Sequence, residues 1–329
     1  MQVIVGQTMM ALLCVATAAG ATEPGRRIVF QQQEGLLSIR VDDELLATYV
    51  YRDKEILRPY FKDVCAPGRV QVTRRHPPKE DADPADHATM HPGLWLAFGD
   101  LNGADFWRNK ATVEHAGFVE EPRVDRDKGT FTVRNNYVAG GTVVCREVCT
   151  YTFLVQSAGC LILWDSTFQS EQSGLCFGDQ EEMGLGVRVA TPIMVKPYGN
   201  HSRPGRILNS EGRRDEKGTW GEPAAWCDYA GWVDDAFVGI MVMPDPRNVS
   251  LCRWHTRDYG LMVANPFARS AFKKGPANRT EVASGASFRL RFGILIHAAR
   301  SEEGFDPAVA HHDYLEAITN GPDRQNALP

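Results

Sequence analysis

The sequence predicts an all-β protein, a large antiparallel two-sheet sandwich of supersandwich type with a short C-terminal helix. Two observations carry that expectation. Period-two alternation of apolar and polar residues recurs along most of the chain. No strand–helix–strand alternation or fixed-period repeat interrupts it, and only the tail has helical spacing.

Taken in order, the chain opens on an apolar stretch, Met9 to Ala19, that ends in the small residues Ala18, Ala19, Gly20 and Ala21. This reads as the apolar region and cleavage site of a secretory signal over residues 1–21, although no Lys or Arg precedes Arg26. The stretch is short of the roughly 20 apolar residues a spanning helix needs, and no later segment reaches that length. The expectation is an exported protein, periplasmic or extracellular, with residues 22–329 forming one domain. Half-buried strands are then expected at Leu37–Val41, Leu46–Tyr51, Thr130–Val138, Val144–Val155, Leu161–Phe168, Val187–Thr191, Phe237–Met243 and Phe288–Ile296. In the last of these, Phe288, Leu290, Phe292, Ile294 and Ile296 line one face, with Arg289 and Arg291 on the other. Val41-Asp42-Asp43-Glu44 separates two runs as a hairpin turn. Asp306 and Pro307 open a helix whose apolar side is Val309, Tyr314, Leu315 and Ile318. Two packed sheets bury so many alternating strands economically. The segments Arg74–Pro92 and Lys196–Gly221 are left as long loops, which tend to be functional or to cover an opening.

Hydrophobic residues make up 43% of the chain, enough for a sizeable core. The net charge of −5 comes without a long run of one sign, so the clustered basic footprint that nucleic acid requires is missing. Seven of the eight cysteines follow the leader, and an odd number leaves at least one thiol unpaired in a monomer. Cys145 and Cys149 share a strand face about 13 Å apart, too far to pair without a bend. Buried structural thiols are the simpler reading of these positions.

Four segments concentrate groups that could do chemistry. His76 to Trp107 holds His76, His87 and His91 among aspartates, with Trp95, Phe106 and Trp107 close by. The His87-x-x-x-His91 spacing suits a metal on a helix, but the prolines and Gly93 argue against one there. Flat rings beside carboxylates and amides suit sugar rings, although strand aromatics are more often core. Asp179 to Arg188 offers Glu181 and Glu182 as acid or base, with Arg188 about 20 Å further along an extended strand. Arg253 to Phe267 packs Trp254, His255, Arg257, Asp258, Tyr259 and Asn265 together; a neutral His shuttles protons near pH 7, and Arg257 could hold a carboxylate or hydroxyls. Thr219 to Tyr229 again mixes aromatics with a carboxylate, Asp228. The nucleophile elbow G-x-S-x-G, the P-loop, the dinucleotide fingerprint, H-E-x-x-H and paired C-x-x-C do not occur.

Asp86-His87-Ala88-Thr89-Met90-His91-Pro92-Gly93-Leu94-Trp95, Asn102-Gly103-x-Asp105-Phe106-Trp107 and Trp254-His255-x-Arg257-Asp258-Tyr259-Gly260-x-x-x-Ala264-Asn265-Pro266-Phe267 resemble the DUF6807 family over most of the mature chain. The resemblance implies a β-rich, often exported protein of polysaccharide-degrading bacteria, and singles out His91, Glu182, Arg188, His255, Arg257, Asp258 and Asn265. Some members carry a methane-oxygenase label, which the lack of multiple apolar spans speaks against here. Where relatives carry a His-His-Arg run this chain has Met90-His91-Pro92, a departure that weakens a metal role.

The leading expectation is a carbohydrate-active enzyme of lyase, hydrolase or epimerase type acting on a sugar or oligosaccharide. His255 and Glu182, with His91, supply acid–base catalysis in that reading. Trp95, Trp107, Arg188, Arg257, Asp258, Asn265 and Asp228 bind the substrate, and no cofactor or metal is predicted. Two alternatives are a non-catalytic carbohydrate-binding protein, which needs exposed aromatics on a shallow face, and a metal-dependent oxygenase, which needs His76, His87, His91 or His255 to converge.

Overall fold

Alternation along the chain builds two eight-stranded sheets in the computed structural model, which describes residues 27–170, 173–199, 201 and 203–319. The leader expected over residues 1–21 lies outside them. The front sheet runs, edge to edge, β1 (Ile28–Gln33), β2 (Leu36–Val41), β3 (Glu44–Val50), β4 (Tyr60–Lys62), β7 (Leu94–Phe98), β13 (Met183–Arg188), β18 (Leu261–Asn265) and β17 (Arg253–Arg257). The back sheet runs β14 (Arg206–Asn209), β15 (Cys227–Val233), β16 (Ala236–Pro244), β20 (Ser287–Ala299), β11 (Gly159–Gln169), β10 (Thr142–Gln156), β9 (Lys128–Ala139) and β8 (Thr112–Asp125). Two ribbons, β5 (Cys65–Ala66) with β6 (Val70–Gln71) and β12 (Leu175–Phe177) with β19 (Thr280–Val282), complete the strands among the described residues. Neighbouring strands in both sheets pair antiparallel. This is the all-β two-sheet sandwich that the alternation predicts.

The inward faces meet in one core. Leu290, Phe292, Ile294 and Ile296 of β20 pack there with Tyr151 and Phe153 of β10 and with Leu94, Leu96 and Phe98 of β7. A buried carboxyl, Glu147, shares the inward face of β10 with Cys145 and Cys149; it accepts hydrogen bonds from Asn135 (2.9 Å) and Ser166 (2.5 Å). Burial pushes its pKa up, against those bonds. The seven described cysteines are all free thiols, six of them buried.

The C-terminal helix α2 (Pro307–Thr319) follows its own start signal: Asp306 accepts from the backbone N–H of Ala308 at 2.9 Å, and Pro307 takes the first turn. Ala310 and Tyr314 bury against Leu161, Met241, Met243 and Leu295 on the outer face of the back sheet. The expected loop 196–221 contains β14 and a short helix, α1 (Asp215–Thr219). Among the described residues no helix is long and apolar enough to cross a membrane.

The outer face of the front sheet positions the chemistry. Since side chains alternate along each strand, Trp95 and Ala97 point away from the core that Leu94, Leu96 and Phe98 enter. The register aligns Trp95, Gly186, Val263 and His255 in one outward row across β7, β13, β18 and β17. Arg188, Leu261 and Arg257 form the next row. A side chain at Gly186 would lie 2.6 Å from the Trp95 ring and 2.9 Å from the Trp107 ring, so this glycine makes the space both indoles occupy. Gly184 (φ +113°) needs glycine for a second reason: a Cβ there would sit 2.2 Å from the Ala264 carbonyl oxygen.

Candidate active site

Two clusters stand on this outer face. The first centres on His255, whose Nδ1 lies 2.9 Å from Oε2 of Glu181; the two atoms are in contact without forming an aligned hydrogen bond. Nε2 takes no protein hydrogen bond and is not sealed from solvent, although the residue as a whole is buried. The same Glu181 oxygen receives Arg257 Nη2 at 3.1 Å, and Arg257 Nη1 reaches Glu216 at 3.2 Å. The Arg257 guanidinium lies over the Trp220 ring, 5.4 Å from its centre, and Phe272 flanks His255. Contact with His255 holds the Glu181 carboxyl below its usual range, with Arg257 and Lys273 adding to the pull against burial.

This partner of His255 is Glu181, where the sequence expectation had Glu182. Glu182 pairs instead with Arg108, which also bonds Asp105 at 3.1 Å. The chain between Gly178 and Glu182 is not a strand, so the alternation rule does not decide which glutamate faces His255. Asn265 decides it. Its Nδ2 donates to the carbonyls of Gln180 (2.8 Å) and Glu181 (3.1 Å), and its Oδ1 accepts from the N–H groups of Phe267 and Ala268, both at 2.9 Å. Both donors and the acceptor of this fully buried amide are occupied, so Asn265 holds the Glu181 loop rather than a ligand. Asp258 is likewise engaged: its carboxylate accepts from the backbone N–H of Glu216 at 2.8 Å, while Glu216 accepts from the Asp258 N–H at 3.1 Å.

The second cluster is a column of rings. His91 stacks on Trp95 (5.3 Å between centres, 13°) and on His87 (4.9 Å, 20°), and His87 lies parallel to Tyr259 (6.4 Å, 12°). Trp107 meets Trp95 and His91 edge-on. Trp95 and Trp107 are 0% and 1% exposed, a correction to the expectation that they stack on a sugar: they are the buried floor of the column. Burial pushes the His91 pKa well below its ordinary value, and Arg188, His87, Arg74 and Arg58 push the same way.

Arg188 is fully buried and grips Asp86 with two bonds of 2.8 Å, while Tyr259 covers its guanidinium at 4.8 Å. Burial pushes the Asp86 pKa up, but Arg188 and His87 outweigh it and bring the carboxyl down to about 2. Asp228 belongs elsewhere: it is buried on the back sheet, 2.9 Å from Nε2 of His297 and 3.1 Å from Arg206, and so joins neither cluster.

The two clusters face each other across β13 and β18. Three strand spacings separate the backbones of Trp95 and His255, about 14 Å. Tyr259, in the turn between β17 and β18, feels charges of both clusters: Arg188, Arg257, Asp86 and Glu216 all act on its hydroxyl, whose pKa burial raises. Sequence reasoning left out Glu216, which lies just before the Thr219–Tyr229 segment, and the buried Arg58 and Arg74. Among the described residues, no group of three or more His, Cys, Asp or Glu side chains is placed to hold a metal ion. An open cleft of about 430 Å³ at one end of the sandwich is lined by Asp42, Asp43, Glu44 and Cys65 with no histidine, so chemistry rather than volume directs attention to the outer face.

Solved structures match the chain at low similarity. Heparan sulfate lyase HepC from Pedobacter heparinus is 5% identical, with a TM-score of 0.39 over 84% of this chain and 36% of that one. The galactosidase domain of the alpha-galactosidase–sucrose kinase AgaSK is 9% identical, with a TM-score of 0.40 over 83% and 42%. A galactose mutarotase-like protein from Lactobacillus casei is 10% identical, with a TM-score of 0.32 over 82% and 100%. This chain therefore spans well under half the length of the first two, and likeness at this level carries no argument about activity. No curated protein matches the sequence. The family of unknown function DUF6807 matches residues 36–305, including both clusters, and the chain belongs to that family.

Proposed function

We propose that this protein is a carbohydrate-active enzyme that works on a sugar or oligosaccharide by acid–base chemistry centred on His255. The observation that carries the proposal is the His255–Glu181 pair, with Nε2 free and Arg257 beside it. A carboxylate at Nδ1 favours the tautomer with its proton there, leaving the Nε2 lone pair to accept a proton from substrate. Glu181 then stabilises the imidazolium, which returns the proton to a leaving oxygen on the same side of the substrate. Arg257 offers positive charge where the substrate becomes negative. The half-buried rings of Trp220 and Tyr259 supply apolar faces suited to sugar C–H groups, between charged edges suited to hydroxyls. The leader-like residues 1–21 support action outside the cytoplasm.

A purely binding role is less well supported, because the indoles expected as its platform are buried. The test is a screen of oligosaccharides with wild type, His255→Ala and Glu181→Gln. General acid–base catalysis contributes about 10²–10⁴-fold, so His255→Ala should lose turnover on that scale. Glu181→Gln should lose less and shift the pH profile. Equal turnover by wild type and His255→Ala overturns the proposal.

A further inference from the structure

Around His91 the protein buries more positive charge than it balances. Arg58, Arg74 and Arg188 are 3%, 1% and 0% exposed. Arg58 donates to the carbonyls of Phe106, Trp107 and Met90 and to Oδ1 of Asn109, all neutral groups. Arg74 donates to the carbonyls of Pro84, Asp86 and His91. Asp86 is the carboxylate that Arg188 and Arg74 share, bidentate on Arg188 and 3.6 Å from Arg74 Nη1, while Arg58 feels the charge of Asp105. Nearby acids have cations of their own: Asp83 bonds Arg75, and Asp105 bonds Arg108 and Lys110. Two guanidiniums, Arg74 and Arg188, against this one carboxylate leave an excess of one positive charge in a buried wall. Buried charge is ordinarily paired, so an unbalanced group of this kind favours an anion from outside.

The entrance lies at Asp86. Arg188 has no exposed surface, yet the carboxylate in its fork belongs to a side chain that is 40% exposed. His87, whose Nδ1 is 2.9 Å from the same carboxylate, is 44% exposed. The acid of this pair thus stands at the surface and the base behind it. The fork already holds a planar carboxylate in two equal bonds, which identifies the group it suits. Arg188 Nε, His91 Nδ1 and Nε1 of Trp95 and Trp107 are buried nitrogens without partners in the same group of side chains.

We propose that Arg188, Tyr259 and His87 form a subsite for the carboxylate of an acidic sugar, a uronic acid residue, and that Asp86 occupies the fork when no ligand is present. The inference rests on the carbohydrate reading above and narrows it to acidic substrates: the uronate would be anchored at Arg188, with the sugar extending past Tyr259 towards His255. Asp86 then acts as an internal competitor, swinging out by side-chain rotation while its backbone carbonyl stays bonded to Arg74.

The test is calorimetric binding of D-glucuronate, its uncharged methyl ester, D-glucose and glucose 6-sulfate. Glucuronate should bind wild type and the methyl ester about tenfold more weakly, the loss expected for one charge-assisted bidentate contact. Asp86→Asn should strengthen glucuronate binding by about tenfold, since it removes the competitor and its charge. Arg188→Lys keeps the charge but loses the fork, and should weaken binding; if this buried variant does not fold, Asp86→Asn carries the test alone. Unchanged or weaker binding in Asp86→Asn overturns the proposal, and so does equal binding of glucuronate and its ester. Glucose 6-sulfate binding as tightly as glucuronate overturns the choice of a carboxylate. Turnover of neutral oligosaccharides without glucuronate binding sinks the subsite and leaves the His255 chemistry standing. Glucuronate binding without turnover of any sugar supports the subsite and counts against that chemistry.

Discussion

Replacing Asn265 by alanine should cost about 3–5 kcal/mol of stability and release the loop that carries Glu181. The magnitude follows from four groups that lose a partner. The N–H donors of Phe267 and Ala268 belong to buried residues, and each buried donor left unsatisfied costs about 1–3 kcal/mol. The carbonyls of Gln180 and Glu181 belong to half-buried residues and can turn to water, so they add less. The space left by a fully buried side chain adds a further packing loss. With an m-value of about 3 kcal/mol/M, the urea midpoint should fall by about 1–1.5 M. Equilibrium unfolding followed by tryptophan fluorescence measures this, and the NMR resonances of the His255 imidazole report whether Glu181 has moved. A loss under about 1 kcal/mol with the His255 resonances unmoved would refute the argument that a single amide orders this loop.

Further outcomes are expected from the ionisation of particular groups. Asp86 is held down to about 2, so the stability it contributes is present above the ordinary carboxylate pKa and lost as pH falls towards 2. The stability difference between wild type and Asp86→Asn should therefore shrink between about pH 4 and 2, and a constant difference in acid unfolding across that range would contradict it. Burial pushes the thiols of Cys65 and Cys145 up to about 11 and 12, and those of Cys149, Cys227 and Cys252 upward as well. Alkylation of the folded protein, read by peptide mass, should modify half-buried Cys176 first among the seven described cysteines, and early labelling of Cys149 or Cys252 would go against this.

The strands were legible where one face is apolar and the other polar. Phe288 to Ile296 shows this most plainly, and β20 extends that run only to Ser287 and Ala299. β13 was harder to read: Gly184 and Gly186 leave its outer face without side chains, so the expected strand began at Val187 and the structure starts it at Met183. β8 escaped notice because it is an edge strand with a largely exposed sequence and several register shifts. In the candidate site, His255, Arg257, Arg188 and His91 could be selected by residue type and density. Their partners could not. Glu181 is distinguished from Glu182 by a clamp from Asn265, over 80 residues away in sequence, and Asp86 meets Arg188 across 102 residues. Asp228 was misplaced for the same reason, since a strand pattern does not say which sheet the strand joins.

The loop between Arg74 and Gly93 is secured by arginines that bond mostly to carbonyl oxygens. Such bonds bring no opposing ion for dissolved salt to screen, and Arg58 and Arg74 are shielded from it by burial. The contact of Asp86 with Arg188 and His87 differs, because its carboxylate stands at the surface, where dissolved ions can compete for it. Salt should thus loosen the entrance while the wall behind it holds its shape. Ionic strength therefore acts on access to this face and on the share of stability that Asp86 contributes, while the carbonyl-bound arginines are left as they are.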